Sequence, residues 1–374
     1  MPSLGADGAK PMTQGDVRFD PVSFDDLPGW EQDDQTAALR AFLKSCGRLS
    51  TDQSERLSSL ADICREAAVV ASGRAEARAF FEAHFTPHRV VHRGARGLIT
   101  GYYEPILPGS RIREGSFQTP VYRRPPDLVN LMDEAMRASA GEGLTHARRL
   151  EDGSLAPYPT RQEIESGALA GRGLELLYLA DPVDAFFMHI QGSGLIELTD
   201  GSTVRLSYDG KNGYPYTSIG RFLVEAGIFT ASDVTLDTLV NWLRADLERA
   251  QPVMWQNASF VFFRELAGRE TQSPLGADEI PLTPGRSLAV DASVHMLGTP
   301  IYVVAPELVH ADEGRAFQRL MIAQDVGSAI RGPERGDIFF GTGQEAGRQA
   351  GMTKHAASFF VLLPRHGRSP IASP

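Results

Sequence analysis

The chain has 374 residues, of which 42% are hydrophobic and 22% charged, and a formal net charge of −10. That length suggests about two domains of ordinary soluble composition, each able to bury a core. The acidic balance argues against a nucleic-acid partner, whose phosphates it would repel, and no apolar run reaches the roughly 18 residues that a membrane-spanning helix needs.

Residues 1–29 are rich in Gly, Pro and Asp and are expected to form a flexible lead-in. They hold no apolar h-region, so no signal peptide is expected. Residues 35–85 carry helical periodicity in three runs, QTAALRAFLKSC, SERLSSLADICREAAVVA and RAEARAFFEAHF, the second behind a Ser50-Thr51 cap. Cys46 and Cys64 fall inside these helical patterns without a CxxC or metal spacing and are expected to be reduced core residues. His84, His88 and His92 recur every fourth position, but Pro87 interrupts the helix between them, so no metal site is expected. From RGLITGYYEPIL onward short strands take over, with helical islands at 127–137, 161–169, 218–227 and 232–250, the last capped by Ser232. Residues 258–364 return to strands: ASFVFFRE, SLAVD, PIYVV, RLMIAQD, DIFFG and SFFVLLP. Many short strands with regular turns suggest a barrel.

Three aspartates in this last stretch, Asp291, Asp325 and Asp337, each sit where an apolar run meets a turn. A carboxylate there is costly unless it is paired, hydrogen-bonded or protonated. A strand-end aspartate can instead cap a turn through its own backbone, but three together suggest a site. Asp325 and Asp337 are joined by a Gly-rich segment that could fold back like a hairpin. Two carboxyls held side by side have their pKa values pushed apart, leaving one able to keep a proton. Acid-catalysed sugar chemistry needs such a group.

DAFFMHIQGSGLIEL reads as a strand-like run opening onto Gln191, Gly192 and Ser193, followed by a loop bearing Lys211, Asn212, Tyr214, Tyr216 and Ser218. Amide, hydroxyl and aromatic groups beside glycines suit a sugar, although ordinary Gly-rich turns would look the same. TGYYEP places Tyr103 and Glu104 at a strand end, either as a binding edge or as a packed aromatic turn. GTGQEAG lacks the spacing and the acidic partner of a dinucleotide loop. Asp325-Val-Gly-Ser has no second copy to make an aspartic-protease dyad, and Ser193 is not in a nucleophile elbow.

These stretches, with SYDGKNGYPYTSIGR, NASFVFFRE, PLTPGRSLAVDASVHMLGTPIYV and LMIAQDVGSAIRGPERGDIFFGTGQEAGRQAGM, resemble the membrane-bound lytic transglycosylase A (MltA) family in order over about residues 96 to 363. The final part also resembles the three-aspartate (3D) domain of cell-wall proteins. The resemblance implies a mainly β fold with peripheral helices: a double-psi β-barrel from residues 30–105 and 266–365, with an inserted β-barrel-like substrate domain at 106–265 and a glycan groove between them. It implies a peptidoglycan lytic transglycosylase whose single general acid and base is Asp337, supported by Asp325 and Asp291. Tyr103, Glu104, Gln191, Gly192, Ser193, Lys211, Asn212, Tyr216 and Ser218 would bind the glycan. No cofactor or metal is expected. The expected partner is the peptidoglycan glycan strand, met by a monomer in the periplasm with outer-membrane association, although Cys46 does not lie in a lipobox. Two rival functions remain: an inverting hydrolase using Asp337 as acid and Asp325 as base, and a non-catalytic wall-binding module.

Overall fold

The computed structural model describes residues 17–49, 55–70, 73–94, 96–131, 143–231, 233–267 and 272–365. The expected cap at Ser50-Thr51, Ser232 and most of the 127–137 island lie outside them. In chain order, β1 (Val17–Pro21) precedes α1 (Gln35–Leu49), α2 (Glu55–Ala67) and α3 (Arg74–His84). Strands β2 (Phe85–His92), β3 (Leu98–Glu104), β4 (Ile106–Ser110), β5 (Thr119–Tyr122), β6 (Leu128–Asn130), β7 (His146–Arg149) and β8 (Leu155–Ala156) follow. Next come α4 (Arg161–Glu163), β9 (Glu175–Leu179), α5 (Pro182–Gln191), β10 (Ser193–Leu198) and β11 (Thr203–Lys211). Then follow α6 (Ile219–Glu225), α7 (Leu236–Ala245), α8 (Leu247–Met254) and β12 (Val261–Glu265). The last third holds β13 (Ser287–Val290), β14 (Pro300–Ala305), β15 (Phe317–Val326), β16 (Arg335–Thr342), α9 (Gln344–Met352), β17 (Lys354–Ala356) and β18 (Ser358–Pro364).

The chain divides into two compact units, the first from Met1–Gly101, Gly276–Phe339 and Thr353–Pro374, the second from Tyr102–Leu275 and Phe340–Met352. The sheet of the first unit runs β1-β2-β18-β14-β15-β13-β16-β3-β17. The fold is mainly β with peripheral helices, as expected; among the described residues the strands form an open series rather than a closed ring. Helices α1–α3 lay their apolar faces on this sheet, where Leu39, Phe42, Phe81 and Phe85 pack with Tyr302, Leu320 and Leu362. Each such fully buried side chain is worth about 1.5–3 kcal/mol relative to exposure. Arg286 binds Asp33 through two hydrogen bonds of 2.8 and 3.0 Å, and Leu320 N donates to the same carboxylate. That buried pair ties the segment before α1 to β13 and β15. The expected lead-in is also corrected: Val17–Pro21 is a strand and Leu27 is only 4% exposed, so the part of that segment within view is structured.

Cys46 and Cys64 form a disulfide between α1 and α2, with Cα atoms 5.4 Å apart, rather than staying reduced. Helical periodicity shows that each cysteine faces inward, but only the packing of the two helices brings those faces together.

The second unit has a six-stranded sheet, β12-β11-β10-β4-β9-β5, and a small one, β6-β7-β8. Leu128–Asn130 is therefore a strand paired with β7, not the start of a helix. The run DAFFMHIQ is helix α5, not a strand. Asp181 caps it by accepting from Val183 N at 2.8 Å, Pro182 opens it, and Gly192 ends it at φ 81°. Asp-Pro before and Gly after are helix start and stop signals; the apolar run outweighed them because α5 is buried on several sides. The 232–250 island holds two helices, capped by Thr235 and Asp246.

Closing an 18-residue separation between α1 and α2 constrains the unfolded chain by about 3 kcal/mol. The double variant Cys46→Ser/Cys64→Ser is expected to lose stability of that order in urea unfolding followed by circular dichroism. An unchanged midpoint would show that the helical pair does not depend on the crosslink.

Candidate active site

Strand β13 runs parallel to β15 on one side and antiparallel to β16 on the other. Its Ala289 stands opposite Asp325 in β15 and opposite Asp337 in β16. Directly opposed residues present their side chains to the same face of a sheet. The two carboxylates therefore share a face across one methyl group, with Cα atoms about 10 Å apart at normal strand spacing. The Gly-rich segment between them is thus not a hairpin: β13, from 35 or more residues earlier in the chain, is inserted between the two strands. A register shift in the β13–β15 pairing between Leu288 and Ala289 sets the alignment.

Asp337 is half-buried, and burial is the main cause that pushes its carboxyl up to about 6. Thr100 Oγ1 donates to Asp337 Oδ1 at 2.6 Å, and Arg335 Nη2 donates to Thr100 Oγ1 at 2.8 Å. Because the guanidinium can only donate, the Thr100 hydroxyl is committed to giving its proton to Oδ1. That leaves Oδ2 as the oxygen on which a proton of Asp337 resides. Thr100 and Arg335 oppose the effect of burial, whereas the charge of Asp325 adds to it. Arg335 and Asp337 share a face because they are two apart on one strand.

Asp325 lies at the end of β15, half-buried, where Oδ1 accepts from Val326 N at 2.9 Å and from Ala277 N at 3.2 Å. The segment that delivers Ala277 holds Asp278 and Glu279 at φ 54° and 57°, rare values for residues with a Cβ. Gly276 before it lies so close that a Cβ would come within 2.5 Å of Gln324 O.

Asp291 behaves differently. It is 5% exposed and accepts from Gly332 N at 2.8 Å and from Ser293 N and Oγ at 3.1 and 2.7 Å. Burial opposes its charge, but these hydrogen bonds hold its carboxyl below the usual range. An ionised Asp291 therefore pins the turn after β13 to the turn that leads into β16.

The expected glycan-binding residues all belong to the second unit. Gln191 Oε1 accepts from Tyr103 N at 3.0 Å, joining the end of α5 to β3. Gly347 of α9 leaves room for the Tyr103 ring, which a Cβ there would approach to 2.8 Å. Ser193 opens β10, Lys211 closes β11, and Tyr216 is half-buried. Two expectations are corrected, those for Glu104 and Asn212. Glu104 is fully buried, bonded to Arg205 at 2.9 Å and to Thr342 at 2.7 Å, so it is an anchor and not a binding group. Asn212 is also fully buried, with its amide bonded to Pro159 O, Ala258 O and Phe260 N. Gly192 is the C-cap of α5, and Ser218 the N-cap of α6. Polar residues beside glycines read alike whether they face a ligand or a turn.

Thr100 and Arg335 were not singled out from the sequence. The signals were present: Thr100 opens TGYYEP, and Arg335 stands two residues before Asp337 on a strand.

Known proteins are similar to this chain in sequence and fold. The family model for the MltA specific insert domain matches residues 98–264, and that for the 3D domain matches residues 286–363. The membrane-bound lytic murein transglycosylase A of Escherichia coli K12 is 34% identical over 279 residues, covering 73% of this chain and 67% of that protein. The crystal structure of a membrane-bound lytic murein transglycosylase from Agrobacterium tumefaciens matches with a TM-score of 0.85 at 37% identity, over 93% of this chain and 98% of that one. E. coli MltA with bound chitohexaose matches with a TM-score of 0.64 at 28% identity, over 94% of each chain. By its matched domains, its identity to these relatives and its fold, the chain belongs to the membrane-bound lytic murein transglycosylase A family.

Proposed function

We propose that this chain is a peptidoglycan lytic transglycosylase in which Asp337 is the one group that carries the proton. The observation behind the role is the Asp337 carboxyl pushed up to about 6 beside a donor that occupies Oδ1 alone. Protonated Oδ2 gives its proton to the glycosidic oxygen between N-acetylmuramic acid and N-acetylglucosamine, and the C1–O bond breaks. The C6 hydroxyl oxygen of the muramic residue then bonds to C1, and its proton passes to the Asp337 carboxylate. The product is a 1,6-anhydromuramoyl end; the acid is regenerated and no water is consumed. Asp325 supports Asp337 by its charge, which raises the proton affinity and steadies the oxocarbenium-like transition state. Asp291 acts as the clamp that holds β13 and β16 in place. Tyr103, Gln191, Ser193, Lys211 and Tyr216 form the glycan-gripping edge.

The relatives are named membrane-bound, and among the described residues no helix is long and apolar enough to cross a membrane. The reading implies a monomer acting on glycan strands in the periplasm, associated with the outer membrane.

Digestion of purified sacculi followed by mass analysis of the released fragments tests the chemistry. Anhydro ends are expected; reducing ends would mean a hydrolase, and no release a wall-binding module. Asp337→Asn is expected to slow release by at least about 100-fold, the usual range for loss of a general acid. Wild-type rates in that variant would sink the assignment.

The pH dependence has a defined sign. Asp337 must hold a proton, so kcat/KM is expected to be full below about 6 and to fall as pH rises through that value. Thr100→Val removes a group that lowers the Asp337 value, so the alkaline limb should move to higher pH. Asp325→Asn removes a charge that raises it, so the limb should move to lower pH. Movement of both limbs in one direction would contradict the arrangement. Stability follows the same linkage: a raised carboxyl value means that the folded state holds its proton longer, so stability falls as pH rises through the window from 3.8 to about 6. Asp337→Asn should therefore stabilise the fold at pH 8, on the order of 3 kcal/mol, and not at pH 4.

A further inference from the structure

The alignment of Asp325 with Asp337 rests on a break in strand register. Ser287 and Leu288 of β13 pair with Ile322 and Ala323 of β15, but Ala289 pairs with Asp325, so Gln324 is the extra residue of a β-bulge. Bulges are rare between parallel strands and tend to re-aim a side chain beside an active site. Strict alternation from Ala323 would put Gln324 opposite Ala289 and turn Asp325 to the face of Leu288, away from Asp337. The extra residue brings Asp325 onto the face of Ala289, and hence of Asp337.

The bulge residue is held by its own side chain. Gln324 is 0% exposed. Its Nε2 donates to Ala41 O and to Ser45 Oγ of α1, both at 2.8 Å, and its Oε1 accepts from Ser287 Oγ of β13 at 2.6 Å. Glutamine fits the place, because one planar amide supplies the two donors that α1 receives and the acceptor that β13 needs. A buried network of this kind fixes one arrangement and is costly to leave half-made. Ser45 is fully buried too, and its neighbour Cys46 is joined to Cys64 of α2, so α1 is crosslinked where it receives the amide. On the backbone side, Gly276 approaches Gln324 O so closely that a Cβ would not fit, and Ala277 N donates to Asp325 Oδ1.

We propose that Gln324 is a positioning residue for the proton transfer: its buried amide holds the bulge that turns Asp325 to the face of Asp337. It touches no substrate and acts through Asp325. Its importance for turnover rests on the proposed glycan cleavage by Asp337. The groups that act on the Asp337 carboxyl are Thr100 from β3, Arg335 on its own strand and Asp325 across β13. Only the last of these is placed by Gln324.

Carbon-13 NMR of the aspartate carboxyls in the full, unliganded chain reads the Asp337 titration without turnover, its signal assigned by loss in Asp337→Asn. Gln324→Met keeps a similar volume and removes all three hydrogen bonds. A like charge about 10 Å away moves a carboxyl by roughly 0.3 to 1.2 pH units, between the dielectric of water and that of a protein surface. Asp337 is therefore expected to titrate lower by such an amount in Gln324→Met, as in Asp325→Asn. The double variant is expected to move no further than Asp325→Asn alone. A residue that only stabilised the fold would lower the melting temperature and leave the titration in place. An unmoved Asp337 titration in Gln324→Met, or shifts that add in the double variant, would overturn the proposal. If Gln324→Met lacks the native circular dichroism spectrum, Ser45→Ala decides: it removes one bond, and a smaller shift in the same direction supports the proposal while none overturns it. Anhydro ends released by the unmutated chain, read in parallel, keep the two readings apart. A shift without anhydro product removes the activity and leaves the placement of Asp325 by Gln324 standing; product without a shift removes the role of Gln324 alone.

Discussion

The candidate site depends on β13 lying between β15 and β16. Its four residues, Ser287–Val290, are all buried and pair with β15, and three of them, Leu288–Val290, pair with β16 as well. Leu288 and Val290 fill the core on one face, while Ala289 on the other presents only a methyl group between two carboxylates. A larger side chain at Ala289 would occupy the space over which Asp325 and Asp337 act on each other. The strand is fastened at its start by Arg286, held by Asp33, and by Ser287 Oγ, which donates to Gln324 Oε1 at 2.6 Å. At its end the hydrogen bonds of Asp291 fasten it to the turn before β16. One short strand thus determines where three aspartates stand.

Chemically similar groups are separated by their surroundings. Asp291 receives three hydrogen bonds from Gly332 and Ser293 and stays ionised. Asp337 is bonded through Thr100 on Oδ1 while the other oxygen remains for a proton, and its value rises. Environment, not residue type, divides the structural acid from the one suited to proton transfer. The second unit shows the same division. Glu104 with Arg205, and Asn212 with three backbone groups, are buried and fully engaged. His189, also buried, packs on Phe260, and among the described residues its ring nitrogens have no hydrogen-bond partner.

Much of this was legible in the residues. The three N-terminal helices, the strands of the last third and the aspartates at their ends follow from periodicity and turn chemistry, which are local. The ordered motifs carried the family. The errors share a cause. Asn212 and Glu104 looked like part of a sugar-binding set because polar residues beside glycines occur equally at ligand edges, helix caps and buried anchors. The α5 segment looked like a strand because a helix buried on several sides loses its polar stripe. Cys46 and Cys64 could not be paired because periodicity gives the face of each helix and not which faces meet.

The sequence by itself therefore determined the mainly β class with its helices, the family and the candidacy of Asp337. These rest on short-range patterns and on motif order. Tertiary structure alone decided that β13 separates Asp325 from Asp337, that Arg335 bonds Thr100 and Thr100 bonds Asp337 Oδ1, and that among the described residues the His189 ring has no hydrogen-bond partner. Each of those depends on groups distant in the chain meeting at hydrogen-bond range, which no local pattern records.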